Sequence, residues 1–199
     1  MADRPVFHGD MNVYREKRAE LDLLVREHLP ATLDMLRRDT PRYLHGVLGG
    51  RKAFLVPLPA AKGELRQTFV ERWIEYLEGT KRGSHPVFSL WHTLRDLSEE
   101  EFRKHAHQIV DAADCNPIIR AAVEESTLES MSAVADVYGR VLTTVHRRWV
   151  TVRAENGDAT KLDDPAEEQL RQVLYGSESA FAMSPREALD AYLLDASEN

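Results

Sequence analysis

Between Val13 and Leu48 the apolar residues fall at Val13, Leu21, Leu24, Val25, Met35, Leu36, Tyr43, Leu44, Val47 and Leu48. Steps of three and four dominate, the spacing of one face of a helix. Pro30 and Pro41 interrupt the run. Each removes an N–H and crowds the carbonyl four residues back, so kinks or short breaks are expected there. Asp39-Thr40-Pro41 reads as a fresh start with Thr40 as N-cap, and "GVLGG" as a stop. In "LRQTFVERWIEYLEG" the residues Leu65, Phe69, Trp73, Tyr76 and Leu77 share a face, and Gly79 and Gly83 are expected to end that helix.

The same periodicity continues to the C-terminus. "LSEEEFRKHAHQIVDAAD" opens on Ser98 and three glutamates, whose charge opposes the positive end of a helix dipole. Its buried face should hold Phe102, Ala106, Ile109, Val110 and Ala113. Asn116-Pro117 starts a short helix, "PIIRAAV". Ser126 and Glu129 fit a capping box before a long helix with Leu128, Met131, Val134, Ala135, Tyr138, Val141, Leu142, Val145 and Trp149 on one face. Its β-branched end, Val150-Thr151-Val152, is expected to fray. Asp164-Pro165 begins a helix ending at Gly176, and Ser184-Pro185 with Glu187 begins a last one through Leu194. No segment alternates apolar and polar residues over a strand's length. An all-α fold follows, an elongated bundle or set of helical hairpins, as one domain over residues 1–199 with possible sub-units at 10–78 and 84–199.

Composition narrows the partners. The net charge of -7 is spread along the chain, and basic pairs such as Arg37-Arg38, Lys81-Arg82 and Arg147-Arg148 sit among acids. No basic stripe emerges of the kind that displaces counterions from phosphates, so nucleic acid is not an expected partner. Cys115 is the only cysteine, which rules out a disulfide within the chain, a Cys-rich zinc site and the C-x-x-C-H attachment of haem c. "MADRPVFHGD" carries acids and no apolar core, so no signal peptide is expected here. "AFLVPLPAA" is too short for a membrane span and contains two prolines.

Catalytic and metal motifs are scarce. No glutamate is followed by histidine three residues later, and H-E-x-x-H is absent. His105 and His107 point to opposite sides of a helix, whereas His107 and Asp111, four apart, could supply two metal ligands but not a complete site. "GVLGGRK" lacks the order of a phosphate loop, because Ala53 follows Arg51-Lys52 and a helix precedes. No G-x-S-x-G elbow occurs, and Asp111 and Asp114 beside Cys115 would oppose a thiolate.

"HPVFSLWHTL", residues 85–94, is the densest chemical segment. If Pro86 opens a short helix, Val87, Leu90, Trp91 and Leu94 form an apolar face with Phe88 at its edge. His85 and His92 would then lie ~10 Å apart along the axis, too far to share an ion whose ligand nitrogens sit about 2 Å away. Both remain candidates for a ligand brought by another chain. The alternative is a packed turn in which Phe88 and Trp91 are core anchors and the histidines bond nearby carbonyls. Trp73, Tyr138 and Trp149 are the other expected anchors.

"DRPVF", "RWIEYLEGTKRGSHPVFSLWHTLRDLSEEEF", "NPIIRAAV", "VYGRVL" and "DPAEEQLRQVLYG" occur in this order. Together they resemble the region between the two domains of unknown function in the large planctomycete cytochrome c family. The similarity runs from Asp3 to about Asp195, and "HPVF…WH" and "LRQVLYG" are its most specific elements. The resemblance implies an exported, multidomain parent tied to a redox system or to degradation of complex substrates. This chain departs from that parent in lacking a signal sequence and a haem motif, and in ending at "DASEN"; an internal piece or truncated product is the expectation. Haem c would belong to a separate segment of the parent. No cofactor and no catalytic residue carry over to this chain.

Three readings follow. The first is a non-enzymatic helical connector, scaffold or protein-interaction module serving neighbouring domains or a partner protein. The second is a metal- or haem-associated redox module using His85, His92, His105 or His107. The third is part of a hydrolase acting on complex carbohydrate.

Overall fold

The computed structural model describes residues 11–49, 67–82, 85–182 and 187. Among them are eight helices and no strand, the all-α fold expected from the periodicity. They are α1 (Met11–Arg38), α2 (Thr40–Leu48), α3 (Gln67–Arg82), α4 (Ser89–Arg95), α5 (Glu99–Asp111), α6 (Pro117–Glu124), α7 (Met131–Glu155) and α8 (Pro165–Tyr175). None of the described helices is long and apolar enough to cross a membrane. The expected last helix after Ser184-Pro185, and the glycine and basic residues of "GGRK", lie outside the described residues except for Gly49 and Glu187.

Two compact units are distinguished. One contains α1 up to Met35, a helix that exposes Val13, Tyr14 and Leu23 and carries a Lys17–Glu20 ion pair at 2.8 Å. The other, Leu36–Ala182, contains the last turn of α1 and all later helices, and the candidate site lies within it.

Helix boundaries follow the punctuation, with five corrections. α1 passes through Pro30 without ending, because one proline removes a single ladder bond while the turns on either side keep theirs. The break falls at Asp39, whose carbonyl accepts from the N–H groups of Arg42 and Tyr43. Thr40 is therefore not the cap but the first helical residue, fully buried, and its Oγ1 has no hydrogen-bond partner among the described residues. The cap of α7 is Ser130, accepting from Ala133 N–H, rather than Ser126. Ser126 is already committed, donating to Val123 O at 2.7 Å where α6 ends. α3 runs through Gly79 to Arg82, and α7 runs through its β-branched stretch to Glu155.

Other signals are met as read. Ser98 and Glu101 form a reciprocal capping box at α5, Asn116 caps α6, and Asp164 caps α8. The face of α5 buries Phe102, Ala106 and Val110, with Ile109 and Ala113 half-buried. In α8, burial opposes ionisation of Glu168. Hydrogen bonds from Arg171, the Leu162 N–H and Gln172 outweigh it and hold the carboxyl at about 2.

The core of this unit is a run of aromatic rings. Tyr43 meets Phe69 at 5.9 Å between centroids, Phe69 meets Phe181 at 6.5 Å, and Phe181 meets Trp73 edge-on at 5.7 Å. Trp73 then meets Phe88 at 6.5 Å, Phe88 stacks on Tyr138 at 5.6 Å, and Tyr138 meets Trp91 edge-on at 5.4 Å. Seven rings thereby link α2, α3, α4, α7 and the segment after α8. Each fully buried ring contributes on the order of 2–3 kcal/mol through removal of apolar surface from water. The indole N–H groups of Trp73 and Trp91 are buried without acceptors among the described residues, a cost of about 1–3 kcal/mol each set against that packing.

α2 lies across α7 where Gly139 leaves room for Pro41. A Cβ at Gly139 would stand 2.7 Å from Pro41 Cβ and 2.9 Å from Pro41 Cα, too close for either backbone to stay in place. Alanine is the better helix former by about 1 kcal/mol, yet Gly139→Ala is expected to destabilise the protein by about 1–3 kcal/mol through overpacking. Denaturant unfolding followed by circular dichroism measures this; a variant as stable as the parent would mean that α2 shifts freely on α7.

Candidate functional site

The segment 85–95 is held by α3, Asn116 and α7. His85 N–H bonds Thr80 O at 3.3 Å as the chain leaves α3, and His85 O accepts from Phe88 N–H and Ser89 N–H. Residues 86–88 are thus a turn, and α4 begins at Ser89, three residues later than a helix opened by Pro86 would. Asn116 N–H reaches Pro86 O at 2.9 Å, and the Tyr138 hydroxyl donates to Val87 O at 2.9 Å. Val87, Phe88, Leu90, Trp91 and Leu94 are all buried.

The two histidines have different partners from the carbonyls expected. His85 Nδ1 accepts from the Val87 N–H at 3.2 Å, which leaves the proton of the neutral ring on Nε2. His92 Nε2 lies 3.0 Å from Thr80 Oγ1. That hydroxyl gives its own proton to Leu77 O at 2.8 Å, so Thr80 must accept from His92 Nε2–H. Both rings are half-buried, and burial pushes the pKa of each below the ordinary histidine value; Lys81 adds to the effect at His92. Neutral imidazoles result at pH 7.

His85 also lines a half-open cavity of about 510 Å³. Glu75, Tyr76 and Thr80 of α3 form one wall, and Gln172 of α8 with Glu178 of the following turn form the other. Burial, assisted by Glu178, pushes the Tyr76 phenol well above its usual pKa, so it stays protonated as a hydroxyl. The ring of Tyr76 rests edge-on against Phe88 at 6.0 Å and Trp73 at 5.7 Å, which fixes it to the aromatic core. His85 thereby joins the segment singled out in the sequence to this cavity.

The other residues singled out lie elsewhere. His107 and Asp111 are exposed on α5, as is His105, and the described residues contain no group of three or more side chains placed to hold a metal. Cys115 is half-buried, and burial raises its thiol pKa. Trp73, Phe88, Trp91 and Tyr138 are fully buried, and Trp149 is buried against Tyr175 and the Arg171 guanidinium.

One array went unseen in the sequence. Ser132 Oγ lies 3.3 Å from His45 Nδ1, and His45 Nε2 lies 2.8 Å from Asp136 Oδ1. The order matches a nucleophilic relay, but the Asp136 side chain is 66% exposed. A carboxylate so solvated orients and polarises an imidazole weakly, and the set serves to bridge α2 to α7. Ser132 and Asp136 are four apart on one helix; His45, about 90 residues away, gives no local signal.

Comparison of the chain with protein families, with curated proteins and with solved structures finds no match.

The lowered histidine pKa values fix a pH dependence. Between the folded-state pKa values and about 6.5 the unfolded chain binds more protons than the folded one, so stability is complete above about 6.5 and declines as pH falls below it. Thermal unfolding between pH 7.5 and 5.5 should show this decline. In the double variant His85→Gln, His92→Gln the slope should flatten; an unchanged slope would assign it to other groups.

Proposed function

We propose that this chain is a non-enzymatic helical connector within a multidomain protein, of the planctomycete cytochrome c-like kind that its sequence resembles. In this reading any haem resides on a separate segment, and the partners are the neighbouring domains. Export of the parent belongs to the same reading.

The observation that carries it is the position of Arg37. Its Nε donates to Leu174 O at 2.9 Å, and its guanidinium lies 4.1 Å from the Tyr175 ring centroid and 5.5 Å from that of Phe181. Arg37 is the second residue of the unit Leu36–Ala182, and Phe181 is the next to last. The chain therefore enters and leaves this body at neighbouring points. Arg72 adds to the arrangement, donating to Ala180 O at 2.9 Å and also to Ala182 O. A body whose ends lie together can be placed between flanking domains without separating them.

The rival redox reading makes a different prediction. Elemental analysis and an absorption spectrum of the purified chain should show no metal or haem at unit stoichiometry. Metal at that level, lost on His85→Ala or His92→Ala, would replace the connector by a redox module. In its natural reading frame, limited proteolysis should release a resistant core close to Leu36–Ala182; cleavage inside α3–α8 ahead of the flanks would count against a connector.

A further inference from the structure

The cavity between α3 and the turn after α8 has an unbalanced charge. Glu75 and Glu178 stand in its two walls, and neither has an ion-pair or hydrogen-bond partner among the described residues. Among the described residues no lysine or arginine lines it. The nearby Lys81 is committed to Asp96 at 2.6 Å, and Arg72 to the carbonyls of Ala180 and Ala182. His85, neutral at pH 7, adds no positive charge. Two carboxylates therefore face a space of about 510 Å³ without a counter-charge among the described residues.

Two further features mark the space as built for an occupant. Tyr76 presents a protonated hydroxyl with no hydrogen-bond partner among the described residues, on a ring clamped by Trp73 and Phe88. Gly79 sits inside α3, where glycine is a poorer helix former than alanine. A Cβ there would meet nothing within 4 Å. Packing does not require that glycine, in contrast to Gly139 and to Gly176, where a Cβ would stand 2.5 Å from Gln172 O. What Gly79 preserves is the open floor of the cavity.

We infer that this cavity is a binding site for a small organic cation carrying an ammonium or guanidinium group, held between Glu75 and Glu178 with the Tyr76 ring as its aromatic wall. Carboxylates supply charge-assisted acceptors, and an aromatic wall attracts cations through its quadrupole. The Tyr76 hydroxyl and the His85 Nε2–H remain for polar groups elsewhere on the ligand. The volume suits a molecule of metabolite size. The site is independent of the connector role.

Isothermal titration of the full chain with agmatine and with putrescine tests the assignment. One saturable site per chain is expected, weakened about tenfold or more by Glu178→Gln or Glu75→Gln, as for loss of a charged hydrogen-bond partner. Gly79→Leu should abolish binding by filling the floor while the thermal transition persists; Gly79→Ala, a smaller filling that favours the helix, guards against misfolding and should weaken binding less. Absence of saturable binding at ~10 mM, far weaker than an evolved metabolite site, would overturn the inference. So would equal binding by the parent and both glutamine variants, which would indicate general surface charge. Binding of a short arginine-containing peptide without binding of either amine would likewise overturn the small-cation assignment.

Discussion

The stack of Phe88 on Tyr138, locked by the Tyr138 hydroxyl on Val87 O, is the contact on which the larger unit depends. One residue of α7 there holds both the side chain and the main chain of the turn before α4. Rings extend from this pair in two directions, through Trp73 and Phe181 to Tyr43, and directly to Trp91. Apolar burial supplies the energy, and edge-on and stacked ring geometry supplies the specificity. The candidate cavity inherits its rigidity from the same contact, because Tyr76 and His85 both pack on Phe88.

Around that core, half-buried polar groups act as fasteners of main chain to main chain. Arg37 fixes the end of α8 and Arg72 the segment after it, Asn116 caps α6 and donates to Ala166 O and Gln169 of α8, and Glu168 gathers Arg171, Gln172 and the Leu162 amide. Each is worth only about 1–3 kcal/mol when made, but an unmade one leaves a desolvated carbonyl or charge of comparable cost. Such groups penalise wrong arrangements more than they stabilise the right one. Glu75 and Glu178 differ from all of these in having no such partner among the described residues.

Much of the fold was legible because helix signals are local. Ser98 with Glu101, Asn116-Pro117 and Asp164-Pro165 place three helix starts by chemistry within four residues. The misplaced starts have local causes too: Ser126 is taken by Val123 O, and the carbonyl of Asp39 displaces Thr40 from the cap. The cavity was only half legible. His85 and Tyr76 stand in segments rich in aromatic residues, but Glu178 reaches them from about 100 residues away, in a loop with no periodicity.

The packing of Phe181 also governs when this body can form. It touches Phe69, Trp73 and the Arg37 guanidinium, all more than 100 positions earlier. A chain emerging from the ribosome can make its helices one by one, since those bonds are local, but the aromatic core stays open on one side until residue 181 is clear of the exit. Contacts of such long sequence separation form late and slowly. For as long as synthesis lasts, Trp73 and Phe69 face solvent or whatever binds nascent apolar surface, and the final turn after α8 closes the core.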